Sequence, residues 1–239
     1  GEHLLRKAYE EQMERLGVVV NDGSLVVDLG CGSGTSTRYL TKQFPTARKV
    51  VGFDLSPHMV IAGRFMAGED QALQDADPRV ELRYGDAAKT GLPDGSASLV
   101  SLSLVVHELA SDARREIFRE ACRILTPGGS LAIMEMDPSA PGYVKLRKNA
   151  MLFSIIRSTE PYLEVYFNEA GELDAELLEA GFSAVRKSGA TGRHMTVVAV
   201  KGGTLDLRGT DEEREKADTH VKSHKARVWI RNPITRKRR

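Results

Sequence analysis

Apolar positions along this chain follow two alternating rhythms. Short runs at 25–29, 49–53, 80–84, 98–104 and 130–136, with a later pair near 183–188 and 194–200, have the length and composition of strands. Between them, 35–44, 57–73, 112–125, 144–157 and 172–180 space their apolar residues as helices packed on one side do. The leading stretch from Glu2 to Leu16 predicts an amphipathic helix through Leu4, Leu5, Ala8, Met13 and Leu16. Asn21-Asp22-Gly23-Ser24 reads as a turn. Thr126-Pro127-Gly128-Gly129 is expected to stop one helix before the strand Ser130–Met136, because Pro and Gly do not continue a helix. Strands alternating with helices predict a mostly parallel sheet covered on both faces. Its strand C-terminal ends then share one edge, where open α/β sheets bind ligands.

Composition changes this picture mainly at the ends. The chain has 239 residues, 41% hydrophobic and 28% charged, which suits one α/β domain with a full core plus an appendage. No run of about 18 apolar residues and no signal peptide is visible. Cys31 in a glycine-rich turn and Cys122 in a predicted helix read as reduced thiols, pointing to a reducing compartment rather than secretion. The net charge of +1 hides an asymmetry: residues 202–239 hold 11 Lys/Arg against 6 Asp/Glu, leaving 23 against 27 in residues 1–201. Residues 1–23 are thus a helix and linker, 24–202 the domain, and 203–239 a basic C-terminal extension.

The richest chemistry lies in Val26-Val27-Asp28-Leu29-Gly30-Cys31-Gly32-Ser33-Gly34-Thr35. An apolar strand ends near an acid, and three alternating glycines lead into a helix. Such glycines let the backbone turn sharply and approach a ligand, and the helix N–H groups can receive a carboxylate. The dinucleotide fingerprint Gly-x-Gly-x-x-Gly/Ala is not met, because Thr35 stands where the third small residue belongs. An acid just before the loop suits a ligand carrying a cation. Two further strands end in acids: Asp54 after Val50-Val51-Gly52-Phe53, placed for ribose hydroxyls, and Asp86 after Arg83-Tyr84-Gly85, placed for an exocyclic amine. Any one alone would read as a turn or helix cap, but three closing successive strands on one edge read as a site.

Asp28-Leu29-Gly30-Cys31-Gly32-Ser33-Gly34 resembles motif I of class I S-adenosylmethionine (SAM)-dependent methyltransferases. The resemblance extends to Asp54 as the ribose acid, to Leu55-Ser56-Pro57-His58-Met59, whose Met59 packs on adenine, and to Asp86-Ala87 at the adenine amine. It continues in the motif IV strand, Leu99 to Leu104 with Ser103 near its tip, and in Leu125-Thr126-Pro127-Gly128-Gly129. It implies a Rossmann-like, doubly wound α/β fold with a seven-stranded, mostly parallel sheet, and SAM as cofactor. It implies a cofactor site of Asp28, Gly30, Cys31, Gly32, Gly34, Asp54, Leu55, Met59, Asp86, Ala87 and Ser103, with no metal. His107-Glu108-Leu109, Met134-Glu135-Met136-Asp137-Pro138 and Ser158-Thr159-Glu160-Pro161-Tyr162-Leu163 resemble the small-molecule enzymes of ubiquinone and menaquinone biosynthesis, especially plastid and cyanobacterial ones. That implies a small aromatic or lipophilic acceptor, methylated at oxygen or carbon, and a plastid or other reducing compartment.

Methyl transfer from a sulfonium is an in-line displacement, so a protein mainly aligns the acceptor and needs a base only for a tightly held proton. His107 is the candidate base, with Glu108 beside it to orient the ring; the alternative is a packing or capping histidine. Glu135 is a lesser pocket candidate, and Asp137-Pro138 reads as a turn. No Asn/Asp-Pro-Pro-aromatic sequence follows the fourth strand, and no cysteine is placed as in cytosine-5 enzymes. Residues 144–170, rich in aromatic and apolar side chains, read either as a lid over the acceptor or as ordinary core. The final 18 residues hold eight basic side chains and no acid around Val228-Trp229-Ile230. They read as solvated charge or as a contact for RNA or an acidic protein. Three readings stay open: a small-molecule methyltransferase, a methyltransferase guided to RNA or protein by the tail, and a non-enzymatic subunit of a larger assembly.

Overall fold

A computed structural model describes residues 2–69 and 77–203. It begins with α1 (Glu2–Arg15) and continues through β1 (Leu25–Leu29), α2 (Thr35–Gln43), β2 (Lys49–Asp54), α3 (Pro57–Glu69), β3 (Val80–Tyr84) and β4 (Ala97–Ser103). A 3-10 turn at Val106–Glu108 leads into α4 (Ser111–Ile124) and β5 (Leu125–Met136). Then follow α5 (Pro141–Arg147), α6 (Ala150–Thr159), α7 (Leu163–Glu169), α8 (Leu173–Glu179), β6 (Ala184–Gly189) and β7 (His194–Val200). The end of the predicted helix 57–73 and the basic extension from residue 204 lie outside the described residues.

The seven strands form one sheet in the order β3-β2-β1-β4-β5-β7-β6. Six strands run in the same direction, and only β7 is antiparallel, lying between β5 and β6. Strand order reverses between β1 and β4, which creates the crevice at the ends of those two strands. Alternation along each strand divides the core. Val26, Val50, Leu99, Ala132 and Val198 pack with Tyr9 and Met13 of α1, Leu16 just after it and Leu40 of α2. Their neighbours Val27, Val51, Val100, Leu131 and Val197 pack with Ile117, Phe118 and Ala121 of α4 and with Leu163, Tyr166, Leu173 and Leu177 from α7 and α8. Both faces are covered, which is why the strands read as continuous apolar runs.

Two expectations change. The single helix 144–157 is two helices, because Asn149 caps α6 by accepting the Leu152 N–H at 3.1 Å. The strand expected at 130–136 begins at Leu125: Ala97 pairs with Leu125 and Leu99 with Ser130, so 126–129 bulge out between the two pairings. Among the described residues no helix is long and apolar enough to cross a membrane, and Cys31 and Cys122 are buried and free.

Candidate active site

The register aligns the tips of β1, β2 and β4 on one edge: Leu29 pairs with Phe53 and with Leu102, and Asp54 pairs with Tyr84 of β3. There a cleft of about 570 Å³ is lined by Gly30, Gly32, Asp54, Leu55, Met59, Asp86 and Ala87, followed by Leu104, Val105, Glu108 and Leu109. That volume lies within the range of ordinary cofactor sites. The Gly32 N–H donates to Asp54 Oδ2 at 2.7 Å and the Ser56 N–H to Oδ1 at 2.8 Å, so the carboxylate is held at the cleft wall. Asp86 Oδ1 accepts the Ala88 N–H at 2.8 Å, fixing the third acid. A Cβ on Gly30 would lie 2.6 Å from a Val105 methyl, while one on Gly32 would meet only Met59 at 3.4 Å. Gly30 therefore permits packing of loop on loop, and Gly32 leaves the cleft open.

Four expected cofactor residues stand behind this wall. The Asp28 carboxylate faces α2, where Oδ2 accepts from Ser36 Oγ at 2.6 Å and Thr37 Oγ1 at 2.8 Å. Burial raises its pKa against those two hydrogen bonds. It braces the start of α2 beneath the loop. Cys31 is buried against Gly52, where a Cβ would lie 2.7 Å from Cys31 Sγ. Gly34 takes a left-handed φ of 83° just before α2. Ser103 accepts from Arg6 Nη1 at 2.5 Å, tying α1 to the β4 tip. The sequence overlooked Leu104, the only described non-glycine residue with positive φ, 59°, and it lines the cleft. Strain of this kind gathers where structure serves a ligand, and no residue type at 104 announces it.

Beyond the cleft, three segments far apart in sequence meet. His107, 4% exposed, presents Nδ1 to Glu135 Oε1 at 2.8 Å, and its backbone N–H donates to Glu135 Oε2 at 3.2 Å. The fully buried Glu135 also accepts the Met136 N–H at 2.7 Å. His107 Nε2 faces Glu160 Oε2 at 3.8 Å and Glu108 Oε1 at 3.9 Å. Glu108 is thus too far to orient the ring, contrary to expectation, and Glu135 holds it instead. The β5 tip is what brings Glu135 there. Burial works to lower the His107 pKa, but the hydrogen bond that Nδ1–H donates to Glu135, with the charges of Glu135, Glu108 and Glu160, raises it above the ordinary imidazole value. The pKa of Glu108 is raised by burial, with Glu160, Glu135 and Asp54 adding to it. Tyr166 meets the imidazole edge-on at 6.4 Å. One ligand atom each from His107, Glu108 and Glu160 lies within 4.8 Å of the others, close enough to hold a divalent ion. Asp137 accepts from the Ser139 N–H and hydroxyl, the turn expected of it.

A mostly parallel sheet with this strand order, a glycine loop at its switch point and strand-end acids Asp54 and Asp86 on the cleft are the arrangement of the class I methyltransferase fold. The family model described as "Methyltransferase domain" matches residues 26–129, and this chain carries that SAM-binding domain. An uncharacterized methyltransferase of Synechocystis is 28% identical over 80% of this chain and 84% of its own length. An arsenite methyltransferase of Halobacterium salinarum is 30% identical over 68% of this chain, and a demethylmenaquinone methyltransferase of Listeria welshimeri 29% identical over 52%. The chain spans only 38% and 50% of those two proteins. Among solved structures, a SAM-dependent methyltransferase from Aquifex aeolicus superposes with a TM-score of 0.57 at 21% identity, covering 80% of this chain and 88% of its own.

Proposed function

We propose that this protein transfers the methyl group of SAM to a small aromatic or lipophilic acceptor, at oxygen or carbon, with His107 as the base. The observation that carries the proposal is the Glu135–His107 pair set directly behind a cleft wall that includes Glu108. The cleft fits the cofactor: it is open at Gly32, with Asp54 and Asp86 standing as hydrogen-bond acceptors and Met59 and Leu55 as apolar cover. When bound, SAM supplies an electrophilic methyl carbon on a sulfonium. Asp54 accepts from ribose hydroxyls and Asp86 from the adenine amine. Glu135 accepts the Nδ1 proton of His107, leaving the Nε2 lone pair to take the proton of an acceptor hydroxyl as its oxygen attacks. The apolar residues around the site, Leu109 and Ile117 on the cleft and Tyr166 on the imidazole, exclude water and favour a greasy acceptor. The demethylmenaquinone methyltransferase relative supports a lipophilic acceptor by its name.

The test is transfer of labelled methyl to a panel of phenols and quinols, with SAM affinity titrated in parallel. His107→Ala is expected to retain SAM affinity and lose about 100-fold or more in rate, the usual weight of a general base. An unchanged rate removes His107 from the mechanism. A rate abolished by chelator and restored by a divalent ion makes His107 a metal ligand with Glu108 and Glu160 instead.

A further inference from the structure

Helix α6 contradicts its own composition. Met151, Leu152, Phe153, Ile155 and Ile156 fill half of it, yet it buries none of its residues fully. Phe153 and Ile156 lean on the core, and Phe153 stacks on Phe167 at 6.1 Å. Met151, Leu152 and Ile155, spaced i, i+1 and i+4, share the outward face at 75%, 43% and 57% exposure. Val144 on the preceding α5 is exposed as well. A clustered apolar face of this size on a protein surface marks a contact.

The rim of this face is positive. Residues 138–159 contain Lys145, Arg147, Lys148 and Arg157 and no acid, inside a stretch 1–201 where acids outnumber bases. Lys145 and Lys148 are exposed beside the start of α6. The Arg147 guanidinium lies over the rings of Phe153 at 6.0 Å and Phe167 at 5.6 Å, stiffening the base of the face, while Arg157 pairs with Glu164 at 2.8 Å. An exposed apolar helix face edged by lysines is the pattern of a helix lying in a bilayer interface with anionic headgroups. A two-fold dimer through the same face would press like charges together.

We infer that α6 docks the protein on an anionic bilayer surface. Glu160, directly after α6, ends 3.8 Å from His107 Nε2, so docking would set the acceptor side of the site against the source of a lipophilic substrate. This consequence, though not the docking itself, rests on the function proposed above.

The experiment is vesicle flotation of the full chain with phosphatidylcholine alone and with phosphatidylcholine mixed with phosphatidylglycerol. The chain is expected to float with the anionic vesicles, less so as salt is added. Met151→Ser combined with Ile155→Ser is expected to weaken that binding about tenfold or more. Lys145→Glu combined with Lys148→Glu is expected to weaken binding to anionic vesicles only. Absence of flotation overturns the inference. So does flotation of both double variants as strong as that of wild type, which would assign the binding to residues 204–239. A wild-type dimer in sedimentation velocity that becomes monomeric in Met151→Ser/Ile155→Ser overturns it in favour of a second copy. SAM titration of every variant is expected to match wild type. A chain that floats but binds no SAM refutes the methyltransferase reading and leaves docking standing.

Discussion

At the scale of residues, the cleft separates groups that touch a ligand from groups that hold those groups in place. Asp54 belongs to the first kind, and Asp54→Ala is expected to weaken SAM binding by roughly 1–3 kcal/mol by calorimetry, the loss of hydrogen bonds to a charged acceptor. Gly32→Arg is expected to abolish SAM binding, because its Cβ direction is clear of backbone and the long side chain fills the cleft, and the left-handed φ of 54° at this position adds backbone strain. Glu135 belongs to the second kind. As pH rises through the raised pKa of His107, the base loses its proton and the rate climbs. Removing the carboxylate in Glu135→Gln lowers that pKa, so the rising limb of the rate–pH profile is expected to move to lower pH with a smaller plateau. An unmoved limb excludes His107 as the titrating group. Asp54 and Asp86 were legible because each stands at or just past the end of a strand, Asp54 closing β2 and Asp86 two residues beyond β3. The true partner of His107 was not: Glu108 stands next to it in sequence, whereas Glu135 reaches it only through strand pairing.

At the scale of elements, periodicity located nearly every helix and strand but said little about charges hidden between them. Arg114 of α4 is almost fully buried and donates to Glu176 of α8 at 2.6 and 2.7 Å and to Glu169 at the end of α7 at 2.7 Å. In sequence these look like ordinary solvated helix charges. Arg114→Met strands a buried carboxylate and is expected to cost about 3–5 kcal/mol in urea unfolding. The lower end is expected, because Arg115 lies 3.3 Å from Glu176 and can take over part of the load. The break between α5 and α6 was missed for a related reason: one Asn as cap outweighs an apolar periodicity that runs straight across it.

At the scale of the molecule, a mostly parallel sheet with helices on both faces was readable from the order of elements alone. The position of β7 was not, since nothing local in 194–200 says which neighbour it joins. All described residues lining the cleft lie between Gly30 and Ile117, so removing residues 204–239 is expected to leave SAM affinity unchanged by calorimetry. A large loss would place that segment over the cleft. The placement of β7 also bears on how the protein is made. Among the described residues the last strand to leave the ribosome is an interior one, so β5 must wait with a bare hydrogen-bonding edge until β7 has been synthesised. Chains halted before residue 194 would carry that edge into the cell, exposed to strand addition by their own kind.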